Sequence, residues 1–468
     1  MIYDIAIIGA GSGGLSVAAA AAQFGQKVIL FEKGLMGGDC LNYGCIPSKA
    51  LIAASRHAHD MRNSHKYGIA PVEPKVDFRR VHAYVHSVIA AIAPHDSASR
   101  FEKLGVKVVQ SAAKFRDAKS IETSEGVFQA RRFVIATGSR ASIPAIPGLS
   151  DVPYLTNETI FDNRVLPKHL VIIGGGAIGM ELAQAHCRLG SQVTVIEAFA
   201  ALAKDEPELT SIVCESLRLD GVKILEGTAV KNVSKSKAGF AVETETHGTI
   251  RGSHLLLAAG RVANVEGLNL EAAGVVYTAR GVSVDKGLRT SQKHIYAVGD
   301  VAGGLQFTHV AGYHAGLVIR NMLFSLPVRN RNDIIAGVTY TDPELACIGM
   351  TEAAAREKYG DTVKVVRWPF HENDRAQADG KTTGLVKAVI GRGGRILGVG
   401  IVGAQAGEII QPWVLAIATG LKIQSIAAMV APYPTLGEAN RRAAVNYFSG
   451  LATNTHVRRV IKLLGFFW

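Results

Sequence analysis

Two cysteines, Cys40 and Cys45, lie in the segment GGDCLNYGCIPSKAL with four residues between them. Thiols this close can join in a disulfide with modest bending of the backbone. Pro47 suits the first turn of a helix and not its interior, so Cys45 is expected at or just before a helix start. A helix N-terminus and the nearby Lys49 both favour thiolate over thiol. The other cysteines are Cys187, Cys214 and Cys347. Five is too few for a disulfide scaffold, which points to a reducing compartment, where a close pair is more often catalytic than structural. Metal binding and plain core packing stay open as alternatives. Zinc would need two more Cys or His ligands at suitable spacing, and a helix would carry His57 and His59 away from the pair.

The elements that must hold this pair announce themselves by repetition. Ile5 to Gly14 reads IAIIGAGSGG, and Leu170 to Gly179 reads LVIIGGGAIG. Each is an apolar run, then G-x-G-x-x-G, then an Ala-rich helical stretch closed by Gly25 or Gly190. A second apolar run then ends in an acid, Glu32 or Glu197, and each acid lies 23 residues after the first glycine of its motif. This predicts strand, tight turn, helix, strand and acid, twice over. Gly9 and Gly174 would allow the turn, Gly11 and Gly176 the approach of a pyrophosphate, and Gly14 and Gly179 close helix packing. Phosphate would rest on the helix N-termini, and Glu32 and Glu197 would accept from ribose hydroxyls. Two dinucleotides are implied.

The chain has 468 residues, of which 48% are apolar and 19% charged, a globular composition with room for about three domains. Its formal charge of +12 favours anionic partners, but the scattered basic residues argue against nucleic acid. The uncharged stretch from Ile5 to Ala22 is glycine-broken and lacks a basic flank, so it reads as strand and helix rather than a membrane span or signal peptide. Leu51 to Ala93 reads helical. Val106 to Ile135 reads as strands leading to Ala136–Gly138, and LLLAAGR ends at Arg261. Beyond Pro327 the texture becomes α+β, with a glycine hairpin near Gly391 to Gly394 and helices near Gln411 to Thr419 and Glu438 to Tyr447. The fold class is therefore α/β, with two Rossmann-like dinucleotide-binding domains and a C-terminal α+β domain. The boundaries fall at 1–148 with 258–328, at 149–257 and at 329–468.

GAGSGG, CLNYGCIPSK, ATGSR, GGGAIGMELAQ, AAGRVAN and YAVGDVAG, in this order and across nearly the whole chain, resemble the FAD-dependent pyridine nucleotide–disulfide oxidoreductases. That family includes dihydrolipoamide dehydrogenase, glutathione reductase and mercuric reductase. The resemblance implies FAD on the first unit, at Gly9, Gly11, Gly14, Glu32, Lys49, Thr137, Gly138 and Asp300. It implies NAD(H) on the second, at Gly174, Gly176, Gly179, Glu197 and Gly260. Cys40 would be the interchange thiol and Cys45 the thiolate against the flavin, with Lys49 and Glu181 paired beside it. The third domain would form a homodimer interface and complete the partner's active site. Glu197 would repel a 2′-phosphate, and no Arg occurs from Ala198 to Ala203, so NADH is expected over NADPH.

The sequence also departs from that pattern. Relatives that reduce disulfides carry a His-Pro followed by a Glu; here the stretch is APYPTLGEA, with Tyr433 in the histidine's place and Glu438 in the acid's. A phenol is a poor base near neutrality. Tyrosine here resembles mercuric reductase, yet residues 348–468 hold no second cysteine pair, and an N-terminal metal-binding domain is not expected. Tyr433 is either an interface side chain or a hydrogen-bond donor to the oxidant. His309 is read as structural, and His314 as helical surface. Val457, Val460, Ile461 and Leu464 share one helix face with Arg458, Arg459 and Lys462 off it. That tail either packs on a dimer or lies on an anionic membrane. The acceptor is a disulfide or another soft oxidant. Metal ions or quinones accepting without dithiol exchange are an alternative, and a flavin-containing redox sensor is a reading of another class. No resident metal is expected, and the location is expected to be cytoplasmic.

Overall fold

A computed structural model of the chain describes residues 1–237 and 239–467. Two compact units are present. One holds residues 1–63, 71–198 and 228–332; the other holds residues 64–70, 199–227 and 333–468. Among the described residues, no helix is long and apolar enough to cross a membrane.

Among the described residues, the first unit carries a mixed sheet with a parallel core, whose edge strands Ser120–Thr123 and Lys114–Asp117 run antiparallel, and a second, parallel sheet. The strand Ile2–Ile8 runs between Val28–Phe31 and Gly126–Ile135, with Lys107–Val109 and Ile295–Ala297 extending the sheet. Alternate residues of each strand serve opposite faces. Ile5, Ile7, Leu30 and Val134 pack on the helices Ser12–Gln23 and Thr308–Phe324, while Ile8, Ile29, Phe31 and Phe133 fill a second core. A sheet buried on both faces needs apolar residues at successive positions, which explains the unbroken run IAII.

The second sheet repeats the plan. His169–Ile173 pairs in parallel with Gln192–Ile196 and with His254–Leu257. The helix Ala177–Arg188 follows the glycine motif, as Ser12–Gln23 follows the first. Gly25 and Gly190, at φ +73° and +110°, turn the chain just past each helix. The region read as one helical stretch, Leu51 to Ala93, is in fact two helices, Cys45–Arg62 and Phe78–Ile92. A 3-10 turn at Ser64–Tyr67 and a non-helical run at 68–77 separate them, the second helix being capped by Asp77.

The second unit carries a five-stranded antiparallel sheet. Its order is Ala336–Thr339, Glu344–Gly349, Ile396–Gly403, Leu385–Ile390 and Lys364–Pro369. Helices Gln411–Thr419 and Glu438–Asn446 cover it, and Trp413, fully buried between them, donates its indole N–H to Asn440 Oδ1 at 2.8 Å. The helix Pro207–Leu219 belongs to this unit, although its residues fall within the interval 149–257. Leu209 fills the space beside Gly400, and the buried Lys387 ammonium bridges Glu206, Glu208 and Glu352 at 2.6 to 2.9 Å.

Candidate functional site

Cys45 is the first residue of its helix, with Gly44 before it and Pro47 in the first turn. Cys40 lies in the short helix Gly38–Asn42 just upstream. Both are half-buried free thiols. The Cys40 thiol donates a hydrogen bond to the Cys45 sulfur, and the pair is electrically asymmetric. That donated bond, a second contact with the Thr308 hydroxyl at 3.3 Å and the Lys49 ammonium together pull the Cys45 thiol from 9.0 down to about 6. The bond it gives to Cys45, reinforced by burial, pushes Cys40 far up. Of the two sulfurs, Cys45 is the one whose surroundings favour the thiolate. Thr308 opens the helix Thr308–Phe324, so two helix N-termini face Cys45, and both favour negative charge.

One turn into the same helix, Lys49 Nζ meets Glu181 Oε2 at 2.8 Å. Glu181 comes from the helix after the second glycine motif and is 5% exposed. This ion pair links the cysteine helix to the second dinucleotide-type unit.

The two glycine motifs have the same geometry. A Cβ on Gly9 would sit 2.4 Å from the Ala136 carbonyl oxygen, and one on Gly174 would sit 2.3 Å from that of Ala258. A Cβ on Gly14 would come within 1.9 Å of the Gly9 oxygen, and one on Gly179 within 2.1 Å of the Gly174 oxygen. Gly11 and Gly176 differ in kind: a Cβ would meet a single atom, Gly38 Cα at 3.9 Å, in the first case and nothing within 4 Å in the second. These two glycines cap their helices with no side-chain hydrogen bond, and neither first turn holds an acid. The result is an open anion cradle at each helix N-terminus. Beside each, a carboxylate is held in place. Glu32 accepts from the Ala10 and Gly34 N–H groups at 2.6 and 2.7 Å, and Glu197 accepts from the Gly175 N–H at 2.7 Å. Open cradles with adjacent fixed acids fit two dinucleotides.

Thr137 and Gly138 hold the turn after Ile135. The Thr137 hydroxyl donates to the Asn264 carbonyl at 2.7 Å, and Gly138 has φ +68°. Gly260, at φ +107°, borders open space and precedes Arg261. Arg261 is a residue the sequence reading left without a role. Its Nε donates to Ser139 Oγ at 2.8 Å, and its Nη2 lies 3.2 Å from Asp39 Oδ1. Ser139 Oγ in turn donates to Asp300, whose carboxyl is raised by burial. Asp39, next to Cys40, also accepts from Asn157 at 2.9 Å. A chain of one ion pair and two hydrogen bonds thus runs from the cysteine loop to Asp300.

The structure corrects one expectation here. His314 is 2% exposed, not on the surface: its Nδ1 accepts the Gly299 N–H at 3.2 Å, and burial lowers its basicity. His309 is exposed and stacks on Phe307 at 5.2 Å. Tyr433 and Glu438 lie in the second unit. Tyr433 is exposed, and its cis peptide bond to Pro434 follows directly. Its hydroxyl donates to Asp374 Oδ2 at 2.9 Å, and that carboxylate raises the phenol above its ordinary range. It is a donor at working pH and not a base. Glu438 is engaged by Arg442, with Nε at 3.0 Å.

Residues 3–315 match the family described as pyridine nucleotide-disulphide oxidoreductase, and residues 335–444 match its dimerisation domain. The mercuric reductase of Bacillus cereus is 33% identical over 451 residues, which is 95% of this chain and 71% of the relative. The dihydrolipoyl dehydrogenase of Geobacillus stearothermophilus is 34% identical over 460 residues, 94% of each chain. The Cu(II) complex of the HOCl-induced flavoprotein disulfide reductase RclA from Escherichia coli superposes with a TM-score of 0.86 at 27% identity, covering 95% of this chain and 99% of that one.

Proposed function

The chain belongs to the pyridine nucleotide–disulphide oxidoreductase family, whose members use FAD and NAD(P)H, and we propose that it passes electrons from NADH to the Cys40–Cys45 pair and on to a disulfide. The observation that carries this reading is the placement of the pair: Cys40 lies just upstream of Cys45, and Cys45 is the first residue of its helix with its sulfur 3.3 Å from the Thr308 hydroxyl. A hydride brings two electrons and one proton. Opening a Cys40–Cys45 disulfide with it yields one thiol and one thiolate, and the Thr308 hydroxyl and the Lys49 ammonium favour that thiolate at Cys45. The acceptor disulfide then takes the electron pair and one further solvent proton, leaving as two thiols while the Cys40–Cys45 bond re-forms. A low-pKa Cys45 is also the better leaving group in that closure.

FAD would be held by the cradle at Gly9, Gly11 and Gly14, with Glu32, Thr137, Gly138 and Asp300, where it supplies the two-electron relay between nicotinamide and disulfide. NADH would be held at Gly174, Gly176, Gly179, Glu197 and Gly260. The Glu197 carboxylate disfavours a 2′-phosphate. Lys49 contributes positive charge beside the redox centre and is oriented by Glu181. Tyr433 and Glu438 act across a homodimer, Tyr433 turning its hydroxyl from Asp374 to a bound acceptor.

A soft metal ion is the second reading. It is favoured by tyrosine rather than histidine at position 433, by the mercuric reductase relatives and by the Cu(II) complex of RclA. Exchange of Cys40 for Ser separates the readings. Turnover with a disulfide acceptor should fall to background. Turnover retained with a quinone or metal ion, together with no disulfide activity in the parent enzyme, would replace the first reading with the second.

A further inference from the structure

The helix Thr455–Leu464 presents an apolar sector to solvent. Val460, Ile461 and Leu464 are 56, 63 and 51% exposed, and Phe466 just beyond is 81% exposed. At 100° per residue, Val457, Val460, Ile461 and Leu464 fall within one sector, and Arg458, Arg459 and Lys462 fall in the opposite one. Asn454 caps the helix, accepting from the His456 and Val457 N–H groups, so its start is fixed. No acidic residue occurs from 439 to 468, while Arg441, Arg442, Arg458, Arg459 and Lys462 all do. The match to the dimerisation domain ends at residue 444, before this helix begins.

We propose that this helix docks on an anionic lipid surface, with its apolar sector sunk to the acyl boundary and its arginines and lysine among the headgroups. The chemistry of the two sectors carries the argument. A helix that covers a second copy of the chain needs an apolar stripe but no flank of a single sign. A helix lying in a bilayer interface needs both, and gains from aromatic residues such as Phe466 near its end. Each basic residue near an anionic surface strengthens binding about fivefold, so the three on the helix together contribute roughly 100-fold. Excess salt screens that contribution.

The test is co-sedimentation of the full chain with vesicles of phosphatidylcholine, with and without phosphatidylglycerol, beside sedimentation velocity in the absence of lipid. Vesicle binding is read without turnover, so it stands or falls independently of the electron acceptor. The protein should pellet with phosphatidylglycerol vesicles and be released by high salt. Ile461→Asp with Leu464→Asp should abolish pelleting. Replacing Arg458, Arg459 and Lys462 by Gln should weaken it about 100-fold. All these positions are exposed, and the oligomeric state should not change. The proposal is overturned if the parent protein stays in the supernatant or if the variants pellet like the parent. It is equally overturned if the double Asp variant lowers the oligomeric state, because the helix would then pack on a second copy.

Discussion

The Cys45 sulfur lies 3.3 Å from the Thr308 hydroxyl oxygen, so residues 263 positions apart, each the first of its helix, meet at one sulfur. A hydrogen bond to a charged acceptor is worth about 1.5 kcal/mol, or close to one pKa unit. Thr308→Val keeps the shape and removes the donor. The ultraviolet thiolate absorbance of the reduced protein should titrate near pH 6 in the parent, because the Cys45 thiol is lowered to about 6. As pH falls through that value the thiolate is lost. In Thr308→Val the midpoint should rise by about one unit. An unchanged midpoint would remove Thr308 from the site.

Glycines of one motif should fail in different ways. Gly179→Ala forces a Cβ to 2.1 Å from the Gly174 oxygen. It should cost about 3 kcal/mol or more in denaturant unfolding. Gly176→Ala meets nothing within 4 Å, so its stability should stay within about 0.5 kcal/mol of the parent. It should nevertheless weaken NADH binding by about tenfold or more, because the methyl occupies space that a pyrophosphate needs. Equal effects of the two substitutions on stability would contradict the cradle assignment.

The Lys49 ammonium lies 2.8 Å from the carboxylate of the buried Glu181. Lys49→Met should destabilise the protein by about 1–2 kcal/mol by removing the cation beside a buried carboxylate. Lys49→Met combined with Glu181→Leu should recover most of that loss, and a double-mutant cycle measures the coupling. If the two single losses simply add, the pair has no energetic link.

Glu197 is held by the Gly175 N–H at the end of its strand. Steady-state kinetics should give a higher kcat/KM for NADH than for NADPH. Glu197→Ser should lower that ratio about tenfold or more, since the carboxylate's repulsion of a 2′-phosphate is then gone. A ratio at or below one in the parent protein would show that Glu197 does not select the nucleotide.

Repetition made the parallel sheets readable. The same turn, helix and acid occur twice at one spacing, and the same steric jam recurs at Gly14 and Gly179. Pro47 marked the helix start that bears Cys45. Long-range partners were not readable, because Thr308, Arg261 and Asp39 come together by tertiary folding and share no local pattern. His314 shows a signal present but misread. Ala311, Ala315, Val318 and Met322 form a buried stripe at helical spacing, and position 314 lies on it. The helix Pro207–Leu219 joined the second unit through Leu209 and the Lys387 ion cluster, which sequence order alone conceals.

Anaerobic titration with NADH, followed by counting thiols in the denatured protein, tests the central claim most directly. The oxidised parent should gain two thiols per NADH consumed and develop a long-wavelength charge-transfer absorbance from the Cys45 thiolate. The Cys40→Ser variant should gain none. Reduction of the protein by NADH with no new thiols would contradict the account, because electrons would then leave without passing through Cys40 and Cys45.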